Sequence, residues 1–334
     1  MATNLDSATR ELWDKTLKHQ VIMALPVLNS LMAKRKVVWK GGTVIKKSVG
    51  MDTLESLAQD YATNDPLTSS TKTILDRPQF GWKKKQVPIE YDVDVELQNL
   101  HASDARVIDL RKELVAAGQK AVRLSLRTNL FSAYSTSTDT DASFAGLDDA
   151  LDPNCLTYGG ITRSTSAKTW WNGASVDGTW TDEDTAGACS IHAIREMEIA
   201  SSTYAMDRKP GDVLVVVSPT NFLGLKTEME TRLMYKTDGR LAKQGFQAMT
   251  LDNIEIVADP YLNTSSTLKT KVYLLNLPDW ELRIHPNRSF KLTDAKWQGD
   301  IVNGFDKWLS RCLLAGNFVC WQPNASCYKT KLSV

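Results

Sequence analysis

Charged residues of both signs crowd into the first hundred positions of this chain. Six bases and no acid lie between Lys34 and Lys47, and three further lysines occupy positions 83–85. Four carboxylates follow at alternate positions, namely Glu90, Asp92, Asp94 and Glu96. Such a row could hold a general acid, but carboxylates on one strand face more often line solvent or meet basic side chains from elsewhere.

Sequence motifs for nucleotide binding, hydrolysis or metal chemistry are absent. Neither glycine-rich phosphate loop occurs, and there is no GxSxG elbow or HExxH helix. The four histidines have no neighbours at ligand spacing, and we assign His192 no role. A group of aspartates lacks the order of an EF-hand and is predicted to lie in a solvated loop: Asp139, Asp141, Asp148, Asp149 and Asp152. We therefore predict no enzyme activity, no cofactor and no metal.

The composition is typical of a globular chain of 334 residues, with 42% hydrophobic and 24% charged residues. A formal charge of +1 gives the chain as a whole little attraction for nucleic acid, so any DNA contact would be local. There is no signal peptide and no run of about 18 apolar residues, which predicts no membrane partner. Five cysteines without a CxxC pair are typical of a reduced compartment.

The first third of the chain predicts an arm and a hairpin. The arm is an amphipathic helix that Pro26 should kink or end. Two strand-like stretches, 37–49 and 71–82, then enclose an acidic, polar segment, which predicts a long hairpin with an elaborated tip. From Val87 to Leu97, apolar residues alternate with the carboxylates, so one face of this strand should be buried.

The remainder of the chain mixes helices and strands, which predicts the α+β class. A long amphipathic helix should begin at Ser103 and end at about Tyr134. Ser218 followed by Pro219 is typical of a helix start. The other predicted elements are a helix from Thr185, a buried strand at 213–217, further strands at 254–257, 272–275 and 280–284, a helix or strand at 308–313, and a strand at 317–321.

A hairpin of this size cannot bury both faces on one compact domain, and isolated two-stranded ribbons are marginally stable. A second copy of the same chain is the simplest partner for it and for the apolar stripe of the arm. The residues predicted to make this inter-subunit contact are Lys46, Lys47, Trp82, Lys83, Lys84, Lys85, Glu90 and Asp92. The alternative is a nucleic-acid surface with Trp39 and Trp82 as stacking residues, although the nearby acids would oppose a phosphate backbone.

The order of these elements resembles that of the major capsid proteins of tailed bacteriophages, which share the HK97-like fold. Three strings after the long helix are similar to the corresponding stretch of many such proteins: FAGLDDAL at 144–151, YGGITR at 158–163 and WWN at 170–172. The stretch DVLVVVSP at 212–219 looks like the central buried strand of the family and its following helix, and the strand within 251–260 also fits.

The resemblance implies a structural protein that self-assembles into hexamers and pentamers of an icosahedral shell enclosing double-stranded DNA. It would be located in the virion after assembly in the host cytoplasm. The implied segments are an N-terminal arm (1–36), an extended loop hairpin (37–100), a spine helix of a peripheral domain (101–140), an axial domain (141–285) and C-terminal strands that return to the peripheral domain (286–334).

Partners other than the chain itself are also implied by the resemblance. Because the arm begins almost at Met1, a separate scaffolding protein, or none, is expected, together with a portal and a decoration protein. No acceptor for a lysine cross-link is recognisable for Lys46, Lys47 or Lys72, so we expect no cross-link. Three alternatives stay open: an encapsulin-like compartment shell of the same fold, an α+β enzyme without a recognisable motif, and a DNA-binding protein.

Overall fold

The structure is a computed structural model of the chain. It describes residues 25–38, 42–51, 57–58, 60–61, 70–93, 110–134, 143–163, 166–174, 189–205, 208–209, 211–232, 248–252, 254–298 and 306–330. Some predictions lie outside these residues, namely the arm before residue 25, the hairpin tip, Trp39, Asp94, Glu96, the first turns of the long helix, Asp139, Asp141 and Thr185.

The described residues alternate between helices and strands, which confirms the α+β class. The α-helices are α1 (Pro26–Arg35), α2 (Leu110–Leu130), α3 (Leu147–Leu151), α4 (Ile191–Ser202), α5 (Pro219–Arg232) and α6 (Ser266–Lys269). The strands are β1 (Lys36–Val38), β2 (Val44–Lys46), β3 (Val49–Gly50), β4 (Leu75–Asp76), β5 (Gln79–Gly81), β6 (Lys83–Asp92), β7 (Thr157–Tyr158), β8 (Ile161–Thr162), β9 (Val213–Val217), β10 (Ala248–Leu251), β11 (Ile254–Ala258), β12 (Lys271–Asn276), β13 (Trp280–Ile284), β14 (Lys291–Leu292), β15 (Lys296–Trp297), β16 (Lys307–Cys320) and β17 (Cys327–Thr330).

The chain divides into two compact units. The smaller unit contains the described residues 85–93, 110–123, 290–298 and 306–314. The larger unit contains the other described residues. The long elements α2, β6 and β16 therefore each contribute residues to both units.

A five-stranded sheet in the order β10-β11-β9-β12-β17 forms the centre of the larger unit. Strands β9 and β11 run parallel, and the other neighbouring strands are antiparallel. All five side chains of β9 are buried, as its continuous apolar run predicts for a strand covered on both faces. Helices α4 and α5 contribute Ile194, Met197, Leu225 and Met229 to the same apolar cluster as Val215.

Local capping signals decide where the helices of the larger unit begin. The predicted start of α5 is confirmed, because the Asn221 backbone N–H donates to Ser218 Oγ at 3.2 Å and Pro219 is the first helical residue. Helix α4 begins at Ile191, with Ser190 Oγ accepting from the Ala193 N–H at 3.2 Å. Pro26 begins α1, where its missing N–H costs nothing.

The β16 half that belongs to the larger unit pairs with β13, and β13 pairs in parallel with β1. The two segments predicted around Trp308 and Asn317 therefore form one strand of 14 residues. Gly316 permits this pairing, since a Cβ at that position would lie 2.3 Å from the Arg283 carbonyl oxygen.

The smaller unit places the described start of α2 against a sheet formed by β6, β14, β15 and the first half of β16. The alternation predicted for β6 is confirmed, because Ile89 is buried while Glu90 and Asp92 are exposed. Helix α2 has 21 described residues and ends at Leu130, four residues before the predicted end. At 1.5 Å per residue the described helix is about 32 Å long.

Candidate subunit-contact surface

The root of the predicted hairpin is present as antiparallel strand pairs in the larger unit. Val44 pairs with Gly81 and Lys46 with Gln79, and β3 pairs with β4 farther along. Gly42, with φ at +89°, lies just before β2. The Trp82 indole N–H donates to the Gly42 carbonyl at 2.9 Å, so the two strands are also joined at their base.

Strand β5 is held against the body of the larger unit by Phe80 and by backbone hydrogen bonds. Phe80 is fully buried, with its ring centroid 5.0 Å from that of Tyr158 and 5.7 Å from that of Trp321. The Gln79 N–H donates to the Gly159 carbonyl at 2.9 Å. Burying a phenylalanine side chain contributes about 2 kcal/mol, so the root of the hairpin is firmly anchored.

The turn between β7 and β8 receives Phe80 because it contains two glycines. Gly159 and Gly160 have φ angles of +60° and +72°, as expected for a tight hairpin turn of the type I′ class. A Cβ on Gly159 would lie 2.8 Å from Phe80 Cζ. The second of the three strings therefore forms a turn whose bare backbone accommodates the hairpin.

The buried side chain of Arg163 caps the C-terminal end of the short helix α3. Its guanidinium donates to the carbonyls of Asp149 at 3.1 Å, Ala150 at 2.6 Å and Asp152 at 3.3 Å. The Asp149 and Ala150 carbonyls at the helix end lack partners within the helix, so the buried cation satisfies both, while the Asp152 carbonyl also accepts from the Cys155 N–H at 3.1 Å. The same guanidinium lies 4.9 Å from the Tyr158 ring centroid.

The aspartates of α3 are buried, which corrects the predicted solvated loop. Asp148 is 0% exposed and accepts hydrogen bonds from the Lys271 ammonium and, at 2.7 Å, from the Tyr273 hydroxyl. Burial raises the pKa of Asp148, and the Lys271 charge opposes this rise. Asp149 accepts from the Gly146 N–H at 2.6 Å and so caps the helix start. The partners of Asp148 come from a segment that is distant in the sequence. The spacing of the aspartates could therefore not show that Asp148 is buried.

The hairpin residues predicted to contact a neighbouring subunit lie on or near the surface of the larger unit. Lys46 and Lys47 are exposed. The Lys47 ammonium lies 5.3 Å from the Trp321 ring centroid. The Trp82 ring packs edge-on against His285 with centroids 5.7 Å apart. Both lysines therefore stay accessible to a second molecule, whereas the Trp82 ring is fixed by contacts with residues of its own chain.

The predicted contact residues of β6 differ in their exposure. Lys84, Glu90 and Asp92 are exposed. Lys85 is half-buried, and desolvation lowers its pKa. Lys83 is only 6% exposed, so its side chain lies inside this chain. The exposed members of the set are therefore the ones that a second molecule could reach.

The described residues contain no group of three or more His, Cys, Asp or Glu side chains that could hold a metal ion. His192 has a side chain that is 79% exposed and lies 3.4 Å from Glu196. Among the helices described by the structure, none is long and apolar enough to cross a membrane. All five cysteines are among the described residues, where they are buried and form no disulfide.

Comparison with solved structures reveals the same fold in shell proteins. The capsid subunit of cyanophage A-1(L) matches with a TM-score of 0.69 and 15% identity, covering 99% of this chain and 100% of that chain. The capsid of a native GTA particle matches with a TM-score of 0.61 and 11% identity, covering 99% and 98%. The SrpI encapsulin of Synechococcus elongatus PCC 7942 matches with a TM-score of 0.61 and 10% identity, covering 99% and 95%.

Neither a protein-family model nor a curated protein matches the sequence. The structural matches nevertheless extend over almost the full length of both chains in each pair. The chain therefore has the HK97-like fold of tailed-phage capsid and encapsulin shell proteins, as its element order predicts.

Proposed function

We propose that this chain is the major capsid protein of a tailed bacteriophage. Its copies form the hexamers and pentamers of an icosahedral shell that encloses double-stranded DNA, and the protein is located in the virion after assembly in the host cytoplasm. The observation that carries the proposal is the match to the cyanophage A-1(L) capsid subunit over 99% of this chain and 100% of that chain. One fold can serve many functions, but the function proposed here is the assembly of copies of this same fold into a shell.

The proposal gives each segment of the chain a place in the shell. Residues 1–36 form the arm, 37–100 the extended loop, 101–140 the spine helix, 141–285 the axial domain and 286–334 the returning strands. The strand pairs at the hairpin root and the buried Phe80 support the second of these assignments, because they anchor the base of this segment in the larger unit. The exposed tyrosine and leucine farther along, Tyr61 at 70% and Leu75 at 55%, would be covered by an adjacent subunit.

The near-neutral net charge of the chain supports a shell that does not bind its contents tightly. The formal charge of +1 gives no long-range attraction strong enough to hold packaged DNA by itself. We expect DNA to be enclosed without sequence-specific binding. A scaffolding protein, a portal and a decoration protein are the proposed further partners, and no enzymatic activity is part of the proposal.

Electron microscopy of the purified full-length protein, alone and with a candidate scaffolding protein, tests this function. We expect rings the size of capsomers or closed shells tens of nanometres across. A uniform monomer or dimer under both conditions would contradict the proposal. An enzyme would then be sought through a specific activity, and a DNA-binding protein through binding that weakens steeply with salt.

An encapsulin-like compartment is the second candidate, because the SrpI encapsulin matches over 99% of this chain. The contents of particles purified from the native source distinguish the two functions. Shells that contain nuclease-protected duplex DNA support the capsid. Shells that contain a co-purifying protein cargo and no DNA support the compartment.

Charge reversal of exposed residues tests the contact surface of the hairpin. We expect Lys46→Glu and Lys84→Glu together to reduce the yield of shells while the monomer stays folded. A matched control reverses two exposed lysines elsewhere, Lys209 and Lys269. Normal shell yield from the first variant would reject this assignment. Deletion of residues 1–24, which spares the buried Val27, Leu28 and Leu31 of α1, tests the arm in the same way.

A further inference from the structure

Two short ladders of the hairpin in the larger unit share one register. Lys46 pairs with Gln79 in the inner ladder, which β2 and β5 form. Val49 pairs with Asp76 in the outer ladder, which β3 and β4 form. A step of three residues outward along each strand leads from the first pair to the second, so both ladders belong to a single antiparallel ribbon.

The ribbon is interrupted between the two ladders, at residues 47–48 and 77–78, which we call the hinge. Pro78 has no N–H, so it cannot donate to the facing strand. The Arg77 N–H donates to the carboxylate of Asp76, at 2.8 Å from Oδ1. The chemistry of these two residues accounts for the interruption, and the ribbon should bend most easily at the hinge.

Burial differs between the two sides of the hinge. On the inner side, the side chains of Ile45 and Phe80 are buried, and Pro78 is buried as well. On the outer side, residues 49–51 and 70–76 are all described by the structure, and each of them is exposed or half-buried. Apolar burial therefore fixes the inner ladder, whereas the position of the outer ladder depends on other contacts.

One such contact is an ion pair that joins the outer ladder to the body of the larger unit. The Lys168 ammonium lies 3.2 Å from Asp76 Oδ2. The other oxygen of this carboxylate accepts from the Arg77 N–H, which restricts its rotation. Lys168 lies in the short helical segment Ser166–Trp171, where Trp171 is fully buried. A firmly packed segment therefore carries the lysine that holds the outer ladder.

A second contact lies at the hinge itself. The Lys47 ammonium lies 5.3 Å from the ring centroid of Trp321, which is buried. In the ion pair, the side chain of Lys168 is 39% exposed and that of Asp76 is 28% exposed, so the attraction is weak and sensitive to salt. A small change in free energy can therefore release the outer ladder from the body.

We propose that the ion pair between Asp76 and Lys168 is a latch that sets the orientation of the outer ladder about the hinge. This inference rests on the proposed shell function, because it concerns how a free subunit presents its hairpin to a neighbour. With the latch closed, Leu75 is 55% exposed and Ile74 is 39% exposed. The latch thus presents these apolar residues and does not cover them. A preset orientation favours binding, since less conformational freedom is lost when a neighbour docks.

Distances between two spin labels on the unassembled full-length subunit test the latch. The nitroxides are attached at Thr73→Cys in the hairpin and at Thr203→Cys in the body, since both threonines are exposed. The five native cysteines are buried, so the label should react with the two new thiols. The width of the distance distribution then reports how many orientations the outer ladder adopts.

Three variants and a matched control separate the latch from other effects. Lys168→Met removes the ion pair, Lys168→Arg keeps its charge, and Asp76→Lys with Lys168→Glu exchanges the two charges. Lys226→Met is the control, because it breaks another exposed ion pair, between Lys226 and Glu230 on α5. Circular dichroism checks that each variant is folded. Microscopy and light scattering measure the subunit concentration that assembly requires.

We expect Lys168→Met to lower the ratio of latched to unlatched subunits roughly two- to fivefold, as the loss of a partly exposed ion pair implies. Its distance distribution should be broader than that of the wild type, and the concentration needed for assembly should rise by up to the same factor. Lys168→Arg and Lys226→Met should behave like the wild type, and the charge exchange should narrow the distribution again. Raising the salt concentration should broaden the wild-type distribution more than that of Lys168→Met.

Three results would overturn the latch. The first is a folded Lys168→Met variant with the wild-type distance distribution at low salt, and the second is equal broadening by the Lys226→Met control. The third is assembly of Lys168→Met at a lower concentration than the wild type requires, which would mean that the closed latch hinders a neighbour. These results leave the shell function intact. A wild type that forms neither rings nor shells, with or without a scaffold, would contradict the proposed function, while the spin labels on the free subunit would still decide whether the latch exists.

Discussion

Asp259 has a buried carboxylate, and only one of its two oxygens accepts a hydrogen bond from the described residues. The residue is 0% exposed, and its Oδ1 accepts from the Tyr261 N–H at 3.0 Å. Its Oδ2 is buried without a hydrogen-bond partner in the part of the chain that the structure describes. The Arg127 guanidinium lies 4.7 Å from the Tyr261 ring centroid and attracts the carboxylate. Burial outweighs both influences and raises the pKa of Asp259 to about 6.

This raised pKa makes the folded state less stable as the pH rises. Between pH 4 and pH 6 the folded chain retains a proton on Asp259 that the unfolded chain, with an ordinary pKa of about 4, has released. The free energy of unfolding therefore falls as pH rises through this range, and the contribution of the bound proton is lost above pH 6. A difference of about two pH units corresponds to about 3 kcal/mol.

Asp259→Asn tests this value because the asparagine keeps the oxygen that caps Tyr261 but does not titrate. We expect the free energy of unfolding of the variant, relative to wild type, to increase by about 3 kcal/mol between pH 4 and pH 7. Urea unfolding of the unassembled subunit across this range measures it, and all other carboxyls cancel in the difference. Glu230→Gln, at an exposed position, is the control. Parallel stability curves for Asp259→Asn and wild type would refute the reasoning.

Three further predictions concern packing in the larger unit. Lys271→Met should lower the free energy of unfolding by about 3 to 5 kcal/mol in urea titrations, because Asp148 would lose its buried counter-charge, and adding Asp148→Leu should recover part of the loss. Gly159→Ala should destabilise by about 1 to 3 kcal/mol more than Gly211→Ala, since both have positive φ but only the first Cβ meets Phe80. In an Ellman titration the five buried thiols should react only after unfolding, and partial reaction in the native chain would contradict their burial.

Local signals account for the parts of the fold that could be predicted. The apolar run of β9 needs no knowledge of the rest of the chain, since five consecutive buried residues require cover on both faces. Ser218 and Pro219 mark the start of α5 in the same way. The alternation in β6 is a period of two that only a strand with one buried face explains.

Buried charges lay beyond sequence reasoning because their partners come from distant segments. Asp148 and Lys271 are 123 residues apart in the chain, and no spacing rule connects them. The one local sign was that Lys271 and Tyr273 share a strand face, which could have marked a polar position on an otherwise apolar strand. Lys83 shows the converse, because a run of three lysines predicts exposure but alternation along β6 turns its first member inward.

The three strings that carried the resemblance meet in one buried cluster of the larger unit. Arg163, from the second string, donates to the carbonyls of the first, and the Trp171 indole N–H, from the third, donates to the Tyr158 carbonyl at 2.8 Å. The Tyr158 ring and Gly159 then receive Phe80 of the hairpin. The strings are therefore parts of a single support for the hairpin root.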